Sequence, residues 1–583
     1  MSPLASSARP LSRTRTGERA EDPVRGHAAA HARPVVLWTL ALAAAFAFRL
    51  GFGLLSEFFF EDETQIFLLG LRFHSTGAWP YFGPDIVWTH SQIPGALQAL
   101  LVGVPMDLVA VPEAPVVLLS VLSFLALCLL AWYICRRLPD LPRWLVYGWV
   151  LTLPWTLHYG THLINTSYIL PAAIIFFVAF FEAHPRFGLR VISAPVAFFG
   201  MGAAVCWMMQ IHASWPLLGP FVLAALWGRR RHGAARLAGD ALAFAAGAAI
   251  TGSLLVPTFW TYGLAAGSGG TARNLRVHLV SPVAFVTTLA RFFSFASLEV
   301  LQFIETNSAK RLLFFIHYFW LVPFGIVAWL AGVLQPLGMA VLWFRRRSLD
   351  PAWIPLRWLV LATAVLVYLS YFFVMEPPQA RAFYLGLPVA VIYAAYCWRF
   401  VDSPRARRVA AIVLVAGIIF DAGVVAGRAP DRSLYKNRAL VAAAVRLRAP
   451  DVLAHRRPFS RDWDWTTRQD LEPIGTGRAV DDVRIVKAGW RKGPWGMTLW
   501  RVTIRNQSAT TAYRDFLYET TYRDRSGRVV DTRYEPLREI LQPGQTITLT
   551  DVNDAFVDAE FASAEMKIVS GEALVPLEFV LAR

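Results

Sequence analysis

Residues 35–55 read VVLWTLALAAAFAFRLGFGLL, a run broken by one charge, Arg49, and followed at once by SEFFFEDE at 56–63. A hydrocarbon core of about 30 Å takes about 20 apolar residues per helix, so this run has the length of one membrane span. Runs of similar length recur outward from it, at 114–135, 144–162, 168–183, 193–210, 215–228, 240–260, 312–344 (one long span), 353–375, 382–400 and 409–427, eleven in all. They account for a chain of 583 residues that is 56% hydrophobic and only 16% charged, with mean hydropathy +0.44. The fold class expected is an α-helical polytopic membrane bundle of about 11 transmembrane helices with a C-terminal all-β domain.

Charge orients the chain. Residues 1–34 are polar and basic, and 35–55 is too long for a typical signal-peptide core, which implies an uncleaved first span. Basic residues gather at Arg136/Arg137/Arg143, Arg186/Arg190, Arg229 to Arg231 with Arg236, Arg345 to Arg347, and Arg399 with Arg405/Arg407/Arg408. These are alternate loops, as the positive-inside rule requires of a protein in a bacterial-type inner or plasma membrane with a cytoplasmic N-terminus. Eleven crossings then place the C-terminus outside. The net charge of +16 therefore reports topology rather than nucleic-acid binding, because Asp481 to Arg583 carries 14 Lys+Arg against 15 Asp+Glu. Cys128, Cys135, Cys206 and Cys397 lie in or beside apolar runs without metal-ligand spacing and read as core fillers.

Four regions follow: a basic cytoplasmic tail (1–34), the membrane domain (35–428), a linker (429–480) and an extracytoplasmic β-sandwich (481–583). Strands are expected at 500–506, 513–524, 527–537, 545–551, 564–570 and 576–582, separated by turn signals such as Arg525-Ser526-Gly527 and Gln542-Pro543-Gly544. The order VTIRNQS, YETTYRDRSGRVVDT, LQPGQTITLTD resembles small extracytoplasmic immunoglobulin-like domains. The stretch 96–112 is apolar but short and interrupted by Pro105, which suits a helix lying at the membrane surface.

The first outward loop, 56–113, carries the chemistry. Glu61, Asp62 and Glu63 repel one another, and an arrangement of little folding value invites a functional reading; the structural alternative is a solvated helix N-terminus. The order RLGFGLL (49–55), EDETQIFLLGLRFHSTGAWPYFGPDIVWTHSQIPGALQALL (61–101) resembles the start of the GT-C glycosyltransferases of the protein mannosyltransferase and aminoarabinose transferase kind. Matching positions are Arg49-Leu50, Asp62-Glu63, Gly77-Ala78-Trp79-Pro80 and Ile93-Pro94-Gly95, with looser likeness to about residue 400. The resemblance implies an inverting transferase using a polyprenyl-phosphate-linked sugar at the extracytoplasmic face, with a lipid, glycan or protein acceptor. It makes Asp62 the general base, with Glu63 and Glu61 supporting it and His90 on the same loop binding substrate.

A phosphate leaving group needs cations. Arg381 opens R-A-F-Y at 381–384, similar to the motif that begins a late helix in those transferases. Arg49, inside the first span, costs about 3 kcal/mol on insertion scales and needs a partner, for which the nearby acids are candidates. Gln210, His212 and Ser214 form a polar patch where a span reaches the outer surface, and polar groups at that depth line a cavity or pack structurally. Asn165 stands where the resemblance leads one to expect a second acid; no metal is assigned, and no cofactor beyond the lipid-linked donor. A non-enzymatic transporter or scaffold with a degenerate GT-C-like fold is the alternative.

Overall fold

The computed structural model describes residues 23–56, 61–86, 91–263, 282–295, 297–304, 308–345, 350–373, 384–432, 438–448, 479–492, 497–537, 539–556 and 561–574. The chain forms a small unit, Met1–Ala47, and a large one, Phe48–Arg583. The described part of the small unit is helical, within α1 (Pro23–Ser56).

In the large unit α2 (Glu61–Thr76) precedes a hairpin of β1 (Phe82–Ile86) and β2 (Ser91–Pro94). There follow α3 (Leu97–Leu108), α4 (Ala114–Arg137), α5 (Arg143–Thr152), α6 (Pro154–His158), α7 (Ile169–Ala183), α8 (Ala194–Met209), α9 (Gly219–Arg229), α10 (Ala234–Gly252) and α11 (Val256–Tyr262). Next come α12 (Pro282–Ser294), α13 (Val300–Ile304), α14 (Ser308–His317), α15 (Val322–Trp343), α16 (Trp353–Ser370), α17 (Leu387–Val401), α18 (Pro404–Arg432), α19 (Arg438–Arg446) and α20 (Ala479–Asp482). The C-terminal strands are β3 (Val483–Lys492), β4 (Met497–Asn506), β5 (Ala512–Arg523), β6 (Val529–Leu537), β7 (Thr546–Phe556) and β8 (Ser563–Leu574).

Eight helices among the described residues are long and apolar enough to cross a bilayer: Val36–Ser56, Ala114–Arg137, Asn165–Ala183, Ala234–Tyr262, Phe319–Trp343, Trp353–Phe373, Tyr384–Val401 and Pro404–Pro430. The chain is an integral membrane protein, and apolar side chains such as Leu242, Val341 and Ile412 are turned outward where lipid would meet them. The remaining expected spans are shorter than the sequence implied. The run 144–162 breaks between α5 and α6, because Pro154 has no N–H to continue the ladder. The run 193–210 yields the 16-residue α8, and 215–228 yields the 11-residue α9. The expected single span 312–344 breaks at Tyr318, whose φ of −116° and ψ of 49° leave the helical region.

Contacts join the two ends of the helical region. Arg438 Nε donates to Glu113 at 2.6 Å, His74 Nε2 lies 3.1 Å from Val445 O, and Arg448 donates to His74 O at 2.8 Å. The segment after the last long apolar helix thus touches the segment that follows the first. The region expected to be a linker, 429–480, includes α19, which these contacts dock onto α2 and the start of α4.

Small residues draw the helices together. A Cβ on Gly202 of α8 would fall 2.0 Å from Phe244 O of α10, and one on Gly247 would fall 2.0 Å from Phe199 O. Gly70 of α2 and Gly103 of α3 meet likewise: a Cβ on Gly103 would lie 2.6 Å from Gly70 O.

The C-terminal domain is a sandwich of two antiparallel sheets, β3-β4-β7 and β6-β5-β8. Trp500, Val502 and Ile504 of β4 face Tyr513, Phe516 and Tyr518 of β5 in a shared core. The N-Q-S turn is built by buried Asn506, whose Nδ2 donates to Thr511 O (2.7 Å), Leu541 O (3.2 Å) and Gln542 O (3.1 Å). At the next turn Asp524 accepts from the Ser526 hydroxyl and from the Ser526 and Arg528 N–H groups, which holds its carboxyl below the usual range. Strand β3 was not among the expected strands, and 576–582 lies outside the described residues.

Candidate functional site

The first span ends in polar residues that later elements enclose. Arg49, on α1, is fully buried. Its guanidinium donates to Leu151 O at 2.8 Å, Thr156 Oγ1 at 3.1 Å and Thr156 O at 2.8 Å. Leu151 O lies in the last turn of α5 and Thr156 O in the five-residue α6, so both carbonyls stand at helix C-termini, which suit a cation with several donors. The partners expected for Arg49 were the acids beyond the span, of which the Glu61 and Asp62 side chains lie outside the described residues; the hydrogen bonds described for Arg49 go to the α5–α6 break.

One and two turns further along α1, Phe52 and Ser56 meet the segment after α6. The Phe52 ring lies edge-on to His158 at 4.8 Å and to His162 at 6.4 Å. Ser56 Oγ sits 3.0 Å from His162 Nε2, while His162 Nδ1 faces the His158 carbonyl. A carbonyl only accepts, so Nδ1 carries a proton in this contact, while Nε2 faces both Ser56 Oγ, which itself donates to Phe52 O, and Ser56 O at 3.3 Å.

Two later helices close the cluster. Tyr384, at the start of the Tyr384–Val401 span, is fully buried, donates to Trp155 O at 3.0 Å and packs its ring on Trp155 at 5.5 Å. A Cβ on Gly160 would lie 3.1 Å from Tyr384 Oη and 3.3 Å from Arg49 Nη2, so residue 160 is where the first and the late span converge. Asp421 of α18 is 1% exposed, and neither carboxylate oxygen has a hydrogen-bond partner among the described residues. His158 faces it, with Nε2 3.9 Å from Oδ1. Sequence reading passed over Asp421; the signal available was a lone acid in the apolar run GIIFDAGVV (417–425).

The expected site residues fall into three groups. Asp62 and Glu61 stand on the first turn of α2, but their side chains, like His90 and Arg381 entirely, lie outside the described residues. Glu63, on the same turn, is buried. Asn165 begins a short 3-10 turn and accepts from its neighbour's N–H, Thr166 N to Oδ1, at 2.7 Å.

Gln210 and His212 sit at the other end of the first loop. Gln210 Nε2 donates to Cys206 O (3.1 Å) and Thr251 O (2.9 Å). A Cβ on Gly95 would lie 2.6 Å from Gln210 Cγ and 2.7 Å from its Oε1. The β1–β2 hairpin is thereby seated on the end of α8, and Thr258 Oγ1 donating to Tyr81 O at 2.6 Å ties it to α11. His212 Nδ1 accepts from Ser214 N at 3.1 Å and lies 2.9 Å from Ser214 Oγ, so its neutral proton sits on Nε2.

Gly95→Ala is accordingly expected to be costly. Its φ of +114° is a glycine conformation and the new methyl would meet Gln210, for about 1–3 kcal/mol of strain. The check is a lowered melting temperature together with faster amide exchange across 82–94.

No family model and no curated protein matches the chain. Among solved structures, the crystal structure of ArnT from Cupriavidus metallidurans bound to undecaprenyl phosphate is similar over 71% of this chain and 80% of its own, with 12% identity and a TM-score of 0.45. The crystal structure of the same protein in the apo state is similar over 72% and 80%, with 11% identity and a TM-score of 0.45.

Proposed function

We propose that this protein is a membrane glycosyltransferase that moves a sugar from a polyprenyl-phosphate donor to a lipid, glycan or protein acceptor at the extracytoplasmic face. The observation that carries the reading is the gathering of Arg49, Ser56, His158, His162, Tyr384 and Asp421 at the end of the first span, directly before Glu61-Asp62-Glu63. A buried polar cluster at membrane depth is a functional site by default, because lipid-facing packing needs none of it.

In the reaction, Asp62 takes the proton of the acceptor hydroxyl or amine as that group's electron pair attacks C1 of the sugar. The C1–O bond to phosphate breaks, and the polyprenyl phosphate leaves with that electron pair. Inversion follows from the single displacement. Glu61 and Glu63 shape the acidic turn, and Arg381 neutralises the leaving phosphate. Arg49 fixes the end of α1 to the Pro154 break, which sets where the acidic turn begins. The N-terminus is cytoplasmic and the β-sandwich extracytoplasmic.

Binding tests the location. A photoreactive polyprenyl phosphate should label peptides from 56–63 and 158–165 of the reconstituted protein, in competition with unlabelled lipid. Labelling confined to other segments would remove the site.

Asp421 separates a working cluster from a structural one. A carboxyl buried without hydrogen bonds carries its desolvation cost uncompensated, so an apolar residue in its place is neutral or stabilising. Asp421→Leu is therefore expected to keep or raise the melting temperature while slowing transfer about tenfold or more, through a His158 that has lost the carboxyl facing it. A sharp stability loss with turnover per folded molecule unchanged would assign Asp421 to packing.

A further inference from the structure

The outer face of the β3-β4-β7 sheet is cationic at every described charged position. Val502 and Ile504 of β4 point into the core, so Arg501, Thr503 and Arg505 point out. Arg484, Lys487 and Arg491 on β3 and Thr546, Thr548 and Thr550 on β7 are likewise exposed. The register sets Arg484 opposite Arg505 and Arg505 opposite Thr546; one row on, Lys487 lies opposite Thr503 and Thr503 opposite Thr548.

Like charges directly opposite one another in a sheet are destabilising, so the Arg484–Arg505 pair has no folding value. The domain as a whole is almost neutral, with 14 Lys+Arg against 15 Asp+Glu from Asp481 to Arg583. On the other sheet, charges of both signs mix and pair, as Lys567 does with Glu519 at 2.7 Å. Among the described side chains of the first sheet, every charge is positive.

The position of this sheet identifies what would meet it. Helix α14 packs against β7, and after Tyr318 the chain enters the Phe319–Trp343 span. Ten helical residues cover about 15 Å, so the part of β7 that meets this helix lies near the start of a span. On β3, the bulge between Ile485 and Lys487 leaves Val486 60% exposed beside the cations.

We propose that this face rests on the anionic phospholipid headgroups of the bilayer that the bundle spans. Guanidinium groups grip phosphodiesters through paired N–H donors, threonine hydroxyls add further donors, and Val486 enters the interfacial layer. The docking holds the sandwich against the membrane, and it does not depend on the reaction proposed for the bundle.

The test uses full-length protein in nanodiscs of phosphatidylcholine alone or with about one-third phosphatidylglycerol, followed by amide exchange. Each surface cation is worth about fivefold in membrane occupancy. Exchange at 483–492 and 501–505 is expected to slow at least fivefold in the anionic discs only. The protection should vanish at about 0.5 M salt and in the Arg484→Glu/Arg505→Glu variant. Native exchange at 512–523 and 563–574 verifies that the variant folds; the milder Lys487→Glu replaces it if it does not. Equal exchange in both discs would overturn the proposal, as would protection conferred by a soluble anionic glycan and not by anionic lipid.

Discussion

Replacing Asp62 by Asn is expected to lower sugar transfer by about a hundredfold or more, the usual contribution of a positioned general base. Asparagine keeps the size of the side chain and its ability to accept a hydrogen bond, but cannot take the acceptor's proton. The residue stands on the first turn of α2, beside buried Glu63 and six positions beyond Ser56, which touches His162. Because the change is isosteric and near a helix N-terminus, melting temperature and detergent-extracted yield should stay close to wild type. Transfer is measured with reconstituted protein at saturating donor, so that the loss appears in kcat. Wild-type turnover in Asp62→Asn would withdraw the base assignment.

Arg49→Met is expected to have the largest effect on stability. Three hydrogen bonds from one guanidinium satisfy Leu151 O, Thr156 O and Thr156 Oγ1 at a helix break inside the bundle. Methionine fills similar space and leaves two carbonyls unpaired, each costing about 1–3 kcal/mol when buried. A loss of about 3 kcal/mol follows for the pair, read as a much lower melting temperature and reduced yield. Arg49→Lys should recover part of it, since a compact ammonium keeps the charge without the planar fork of donors. A Met variant as stable as wild type would mean that the α5–α6 break holds without Arg49.

Much of this architecture was written into hydropathy. Apolar runs near 20 residues mark spans whatever the tertiary packing, because the bilayer imposes length. The breaks at Pro154 and Tyr318 were less legible: hydropathy sees no interruption at either. Strand β3 escaped notice because Arg484, Val486, Lys487 and Gly489 leave only Val483, Ile485 and Trp490 for the core side, and the bulge after Ile485 disrupts the alternation. Helix α19 is nine residues long in a basic stretch, and its place depends on His74 and Glu113, more than 300 positions earlier.

The site divides the same way. Arg49 stood out as a charge inside a span, but its carbonyl partners exist only once α5 and α6 have formed. His158 and His162 stand four residues apart in the sequence, whereas Asp421, more than 250 positions later, carries no local signal that His158 would face it.

The most direct measurement supplies reconstituted wild-type protein with a polyprenyl-phosphate-linked monosaccharide and an envelope extract as acceptor, without nucleotide sugar. The account predicts sugar on the acceptor and one free polyprenyl phosphate for each sugar transferred. Donor that stays intact, whether or not it crosses the bilayer, would contradict it.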